Sequence, residues 1–257
     1  MFKKDKVKIL GVFAHPDDEF TISGLLTGAY NKGIETHLIC ATRGEGCRIR
    51  HPEIMNEKNK AEVRTKELEG ACNILEVSSL NFLDLEDGKS KDWNLDYTLN
   101  KLYNHMEDID PDIVITFDSN GGNGNPDHIS VSKITTKAFE KLDKIKNRRL
   151  YYTTLLPNSI ASTAIDKLEV PQGHKDKFLK NLTTDDKNVT SIIKLESGEL
   201  KNKMKLLQNY KSQFPDTKGN YCGMPLDILK KLAVYECYYL KRNSEISNSG
   251  YNTVDML

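Results

Sequence analysis

Apolar positions fall into short β-branched runs separated by longer stretches in which they recur every three or four residues among charges. That rhythm predicts a mostly parallel sheet covered by helices. Residues 7–13 read as a first buried strand, 19–32 as a helix stopped by Gly33, and 36–41 as a second strand. Residues 56–75 predict a solvent-facing amphipathic helix. A strand at 79–83, a helix at 95–109 ended by Asp110-Pro111 and a central strand at 112–117 follow. Beyond them come a helix over 128–146 and a strand over 150–156. Residues 158–187 are charged and irregular and are expected to form a surface excursion, lid or insertion. Residues 189–195 predict a late edge strand, 198–210 and 227–240 predict helices, and 243–257 a tail. The pattern contains no repeat, and its length suits one domain spanning 1–257.

Composition narrows the function. Hydrophobic residues make up 38% and charged residues 29%, enough for one core and a well-solvated surface. Lys plus Arg (37) equals Asp plus Glu (37), with the signs interspersed, so no field steers the chain toward nucleic acid or an acidic membrane. Five cysteines without a C-x-x-C pair argue against a disulfide framework or a cysteine zinc knuckle and suit a reducing cytoplasm. The basic start is followed by a short apolar stretch that contains Lys8 and runs straight into His15, unlike a cleavable leader. No run approaches bilayer length, so a soluble protein without integral membrane association is expected. A homo-oligomer is compatible with the sequence and not required by it.

Two loops carry candidate chemistry. Ala14-His15-Pro16-Asp17-Asp18-Glu19 follows the first strand, and Asn125-Pro126-Asp127-His128 follows the central one through a Gly/Asn-rich loop. Parallel strands would bring both to the carboxyl edge of the sheet, where open α/β folds place ligands. His15, Asp18 and His128 then form a two-imidazole, one-carboxylate set suited to one catalytic Zn2+, with a position left open; iron or cobalt fits the same donors. Asp17 beside them is placed to take a proton from an activated water. The plainer alternative for the first loop is a helix N-terminus with Pro16 early and two acids on the dipole.

These residues resemble the LmbE-like, or PIG-L, zinc deacetylases. The matching motifs are His15-Pro-Asp-Asp-Glu19 and Pro126-Asp-His128, with Thr42-Arg-Gly-Glu45, Arg64 followed by Glu67, Asp87-Gly88 and Tyr210-Lys-Ser-Gln213-Phe214 in order. The resemblance implies a Rossmann-like three-layer α/β sandwich, zinc on His15, Asp18 and His128, and Asp17 as general base. It implies Asp127 as the acid that orients a histidine, and Arg64, Glu45 and Asp87 as substrate contacts. The implied substrate is a small-molecule amino sugar of the N-acetylglucosamine type, hydrolysed to free amine and acetate. Many relatives carry histidine where this chain has Asn125, which can donate a neutral hydrogen bond but supplies no proton at neutral pH. An amidase for a larger amide and a non-catalytic binding module are the alternatives.

Other features carry less. Gly121-Gly-Asn-Gly124 lacks the dinucleotide fingerprint and follows the wrong strand for it. His37, His51, His105 and His174 have no partner spacing, and Cys47 reads as an inert thiol near the site. Tyr235-Glu-Cys-Tyr-Tyr239 reads as one packed helix face, and Phe13 and Trp93 as packing residues.

Overall fold

The computed structural model describes residues 6–142, 147–166, 176, 183–214, 220–221, 224–225, 230 and 233–243. In chain order its elements are β1 (Lys8–Phe13), α1 (Ser23–Asn31, entered through a 3-10 turn at Asp18–Ile22), β2 (Glu35–Thr42), α2 (Lys60–Leu75) and β3 (Ser79–Leu85). They continue with α3 (Leu95–Ile109), β4 (Ile113–Phe117), the one-turn α4 (Gly121–Gly124), α5 (Pro126–Leu142) and β5 (Arg149–Thr154). The last are β6 (Leu156–Pro157), α6 (Asn158–Asp166), β7 (Thr183–Thr184), β8 (Ser191–Lys194), α7 (Ser197–Asn209), β9 (Asn220–Tyr221), β10 (Met224–Pro225) and β11 (Tyr235–Asn243).

Seven strands form one sheet in the order β3-β2-β1-β4-β5-β11-β8. The first five run parallel, while β11 is antiparallel to both β5 and β8. Helices α1, α2 and α7 pack together on one face, and α3 and α5 pair on the other. This is the three-layer α/β sandwich expected. β1 and β4 are apolar nearly throughout because both of their faces are covered: Ile9, Leu10, Val12, Ile113, Val114 and Ile115 are fully buried. Strand order reverses between β1 and β4, and the crevice at such a switch point is where an open α/β sheet receives ligands.

Three expectations need correction. The expected helix over 227–240 gives way, from Tyr235 onward, to strand β11. Tyr235, Cys237 and Tyr239 alternate with Glu236 and Tyr238, and pairing on both edges selects the extended form over helical spacing. The stretch at 158–187 is not wholly irregular, since α6 opens it; the rest of the expected lid, apart from Asp176 and 183–187, lies outside the described residues, as do His174, Cys222 and the tail beyond Asn243. Helix α2 is not merely solvent-facing, because it buries Arg64 and Glu67 among its apolar positions. The other expectations hold at the level of elements: β8 is an edge strand, and Phe13 and Trp93 are core residues. Among the described residues no helix is long and apolar enough to cross a membrane.

Candidate metal and catalytic site

Two loops leave the adjacent carboxyl ends of β1 and β4 and meet over the switch point. The first bends sharply. Asp17 has φ 98°, a left-handed conformation that costs a non-glycine residue about 1–3 kcal/mol and persists only where its surroundings over-determine it. Those surroundings are explicit. The Asp17 backbone N–H donates to Glu19 Oε2 at 3.0 Å, and Arg64 Nη2 donates to Asp17 Oδ2 at 2.8 Å and also to the Pro16 carbonyl. Glu19 is fixed in turn by the Tyr210 hydroxyl, which donates to its Oε1 at 2.6 Å. Arg64 Nη1 donates to Glu67 Oε2 at 3.0 Å, and Glu67 also accepts from the Ser212 N–H and hydroxyl, both at 2.7 Å. Gly44, at φ +74°, lets the guanidinium approach: a Cβ there would lie 3.2 Å from Arg64 Nε.

The second loop aims His128. Its Nδ1 is 2.9 Å from the Gly121 carbonyl, so the donating Nδ1–H leaves Nε2 with a lone pair. Gly121 is required there, since a Cβ would sit 2.7 Å from His128 Cβ at φ +67°. The His128 ring stacks on Phe117 at 4.0 Å. His15 is oriented from the other side. Its Nε2 lies 3.3 Å from Asp127 Oδ2 and 3.1 Å from Asp87 Oδ1, both carboxylate acceptors, so its Nδ1 also keeps a lone pair.

The two lone pairs face each other at 3.1 Å, with the Asp18 carboxylate 3.5 Å from His15 Nδ1 and 3.4 Å from His128 Nε2. Three electron-rich groups converging in a half-buried pocket call for positive charge between them, which a proton on His15 or a metal ion can supply. Donors 2.0–2.1 Å from a tetrahedral zinc stand about 3.3 Å apart, so the donor set present fits that ion. The field agrees. Burial opposes charge on His15, yet hydrogen bonds to Asp127, Asp18 and Asp87 hold its pKa well above the ordinary imidazole value. Burial would raise Asp18, but the two imidazoles bring it down. A second group of possible donors, His15 with Asp87 and Asp127, uses the opposite ring nitrogen. Asp127 is already engaged there by the backbone N–H of Gly88 at 2.7 Å and of Ser90 at 3.2 Å. Against its burial, these bonds and His15 hold its carboxyl at about 2.

Asp17 differs from its neighbour. Burial, together with the nearby Asp18 charge, pushes its carboxyl up to about 6 although Arg64 pulls it down. Burial pushes Glu19 up to about 8 against the Tyr210 hydrogen bond. Asn125 stands at the start of α5, where its Oδ1 accepts from the Asp127 N–H at 2.8 Å, so its amide Nδ2 is the end left for another partner.

His15, Asp17, Asp18, Asn125 and His128 stand together in the wall of one cavity of about 900 Å3. Asp87 and Arg64 reach the same wall. Glu45 does not: its Oε1 accepts from the Asp87 N–H at 2.9 Å, so it touches a lining residue instead. Cys47 lines the cavity as well, with its thiol pushed up by burial, which suits an inert sulfur. His37 and His51 bond locally to Ser79 and Glu53. Sequence reading assigned no role to the Glu19–Tyr210 pair, to Glu67 with Ser212, or to Lys203 and Glu236 on the far wall. Glu19, Glu67, Tyr210 and Ser212 lie in the motifs that carry the family resemblance, whereas Lys203 and Glu236 belong to none of them.

The chain is similar to known proteins. A 1D-myo-inositol 2-acetamido-2-deoxy-alpha-D-glucopyranoside deacetylase of Catenulispora acidiphila is 27% identical over 282 residues, covering 95% of this chain and 86% of the relative. A mycothiol S-conjugate amidase of Streptomyces coelicolor is 32% identical over 154 residues, 53% of each chain. The N,N'-diacetylchitobiose deacetylase structure from Pyrococcus horikoshii superposes with a TM-score of 0.60 at 17% identity, covering 92% of this chain and 84% of that one, which speaks for the fold alone. The PIG-L family, described as GlcNAc-PI de-N-acetylase, matches residues 10–139, half of the chain, and with both metal-motif loops inside that span the chain belongs to the PIG-L (LmbE-like) family.

Proposed function

We propose that this protein is a zinc-dependent hydrolase that removes an N-acetyl or related N-acyl group from an amino-sugar conjugate, with one zinc per chain. The observation that carries the reading is the convergence of His15 Nδ1, Asp18 and His128 Nε2 within 3.1–3.5 Å of one another, beside Asp17 on the wall of the same cavity. The names of the Catenulispora and Streptomyces relatives supply the amide and sugar class.

His15, Asp18 and His128 would hold the ion, with Asp127 fixing the His15 tautomer from behind. Bound there, zinc supplies Lewis-acid polarisation of the amide carbonyl and lowers the pKa of a water. Asp17, gripped at Oδ2 by Arg64, has Oδ1 left to take a proton from the attacking water. It then returns that proton to the amide nitrogen as the C–N bond breaks, so water and amide become carboxylic acid and amine. Asn125 Nδ2 donates a neutral hydrogen bond to the carbonyl oxygen as charge develops on it. This division leaves the whole proton transfer to Asp17, because asparagine has no acid to offer. Asp87 faces the sugar hydroxyls, whereas both terminal amino groups of Arg64 are engaged by Asp17, Pro16 and Glu67 and its Nε, unpartnered among the described residues, is buried away from the cavity, so Arg64 acts as a positioning residue.

The test is amine release from N-acetylglucosamine and a panel of its glycosides, using metal-free protein with and without added zinc. Zinc-dependent release is expected. Stoichiometric zinc binding with every substrate intact would refute the N-acetyl-sugar assignment and favour a larger amide or a binding module.

A further inference from the structure

The cavity extends to both sides of the proposed metal set. Toward β2 and β3 its wall is polar, with Gly44, Gly46, Asp87, Arg64 and Gln213. Toward β5 and β11 it is mostly apolar, with Phe20, Leu155, Leu156, Ala233 and Cys237, and the side chains of Thr153, Thr154 and Tyr235 stand among them. Burial pushes the Cys237 thiol up to about 12, so it presents a neutral, weakly polar surface. The end of this second lobe is closed by an ion pair that is nearly self-contained. Glu236 accepts from Lys203 Nζ at 2.6 Å, from the Gly24 and Leu25 N–H groups at 2.8 Å each, and from the Tyr238 hydroxyl at 2.9 Å. Lys203 Nζ also lies over the Phe20 ring, 4.8 Å from its centroid. Lys203 and Glu236 are only 3% and 2% exposed, so the pair shapes the lobe while showing it little polar surface.

About 900 Å3 is at the upper end of the range for drug-sized ligands, and more than one acetylated sugar ring fills. A trans amide is planar, and its two substituents leave the carbonyl–nitrogen unit in opposite directions. A carbonyl held between the two lobes therefore sends the sugar into one and the acyl group into the other. Hydroxyls match the polar lobe, with its carboxylate, amide and backbone donors. A hydrocarbon chain matches the lobe between β5 and β11, where Phe20, Leu155, Leu156 and Ala233 make burial of each methylene favourable and charged donors are fewer than in the first lobe.

We infer that the β5–β11 lobe is an acyl subsite, and that the substrate is an N-acylated amino sugar whose acyl group is a medium-length aliphatic chain longer than acetyl. This rests on the hydrolase reading above and deepens it. The amine product and a free fatty acid would be released by the same hydrolysis, water adding across the C–N bond. Discrimination would come from Phe20, Thr154 and Leu156, which neither hold the metal nor move a proton.

The experiment compares N-acetyl-, N-butyryl- and N-hexanoylglucosamine with the zinc-loaded protein, its Thr154→Phe variant and its Leu156→Trp variant, each checked for zinc content and thermal unfolding. In the wild type kcat/KM is expected to rise about two- to fourfold per methylene until the lobe is full. In either filled variant the hexanoyl-to-acetyl ratio should fall at least tenfold. A wild-type preference that declines with chain length would overturn the subsite. So would folded variants that leave the ratio unchanged, or that alter discrimination among glycosides in its place. Release from the acetyl substrate alone defeats only the acyl subsite. Release from none of the three by zinc-loaded protein defeats the hydrolase reading and the subsite with it.

Discussion

Arg64→Lys tests the division of labour in the site, because lysine keeps the charge and loses the fork. The guanidinium is 2% exposed and bridges four groups: Asp17 Oδ2, the Pro16 carbonyl, Glu67 Oε2 and, through its face, the Tyr210 ring 5.2 Å away. An ammonium is a point charge and cannot reach Asp17 and Glu67 in the same geometry. Asp17 would lose the contact that fixes its carboxylate on a strained backbone, and a misplacement of about 1 Å costs about 100-fold in rate. The expected result is kcat reduced about 100-fold with KM within threefold and zinc content intact. Full removal in Arg64→Met strips the partner from a buried ion pair, which costs about 3–5 kcal/mol. For a chain of this size that lowers Tm by about 6–20 °C. The assay is steady-state amine release with zinc content measured on the same samples. A KM raised 100-fold at unchanged kcat would refute the reasoning, since that pattern belongs to an arginine bound to the sugar in ground and transition state alike.

Further outcomes follow from the same contacts. Asn125→Asp keeps the acceptor that caps the Asp127 N–H but removes the amide donor, so kcat should fall about 10- to 1,000-fold with Tm unchanged in a thermal melt. Asp127→Asn weakens the carboxylate that orients His15 and should loosen zinc about 10- to 100-fold in a competition titration with a chelating dye. Lys203→Met leaves Glu236 charged and buried without its cation, and should cost about 3–5 kcal/mol in denaturant unfolding while zinc affinity stays as in the wild type.

The legible part of this molecule is what local rules encode. β1 and β4 are continuous apolar runs followed at once by their polar loops, so the strands and the meeting of His15, Asp18 and His128 could be read together. Asp127 was placed beside a histidine by the motif alone, and its carboxylate does lie 3.3 Å from His15. What sequence did not disclose depends on partners far along the chain. Glu236 looked like one polar position on a helix face, but it sits in a strand, buried by donors from Gly24 and Leu25 some 210 residues earlier and from Lys203 in α7. The family resemblance implied Glu45 and Arg64 as substrate contacts. In the fold Glu45 is turned to the Asp87 backbone and Arg64 to Asp17, and only the tertiary hydrogen bonds reveal where a charged side chain's donors and acceptors are spent.

The most direct measurement is the rate of amine release by zinc-loaded Asp17→Asn beside the wild type, with zinc per chain determined for both. The account predicts one zinc in each and a rate in the variant lower by at least 1,000-fold, because the ion is held by His15, Asp18 and His128 while the proton moves through Asp17. An Asp17→Asn protein that binds its zinc and still turns over within tenfold of wild type would contradict it.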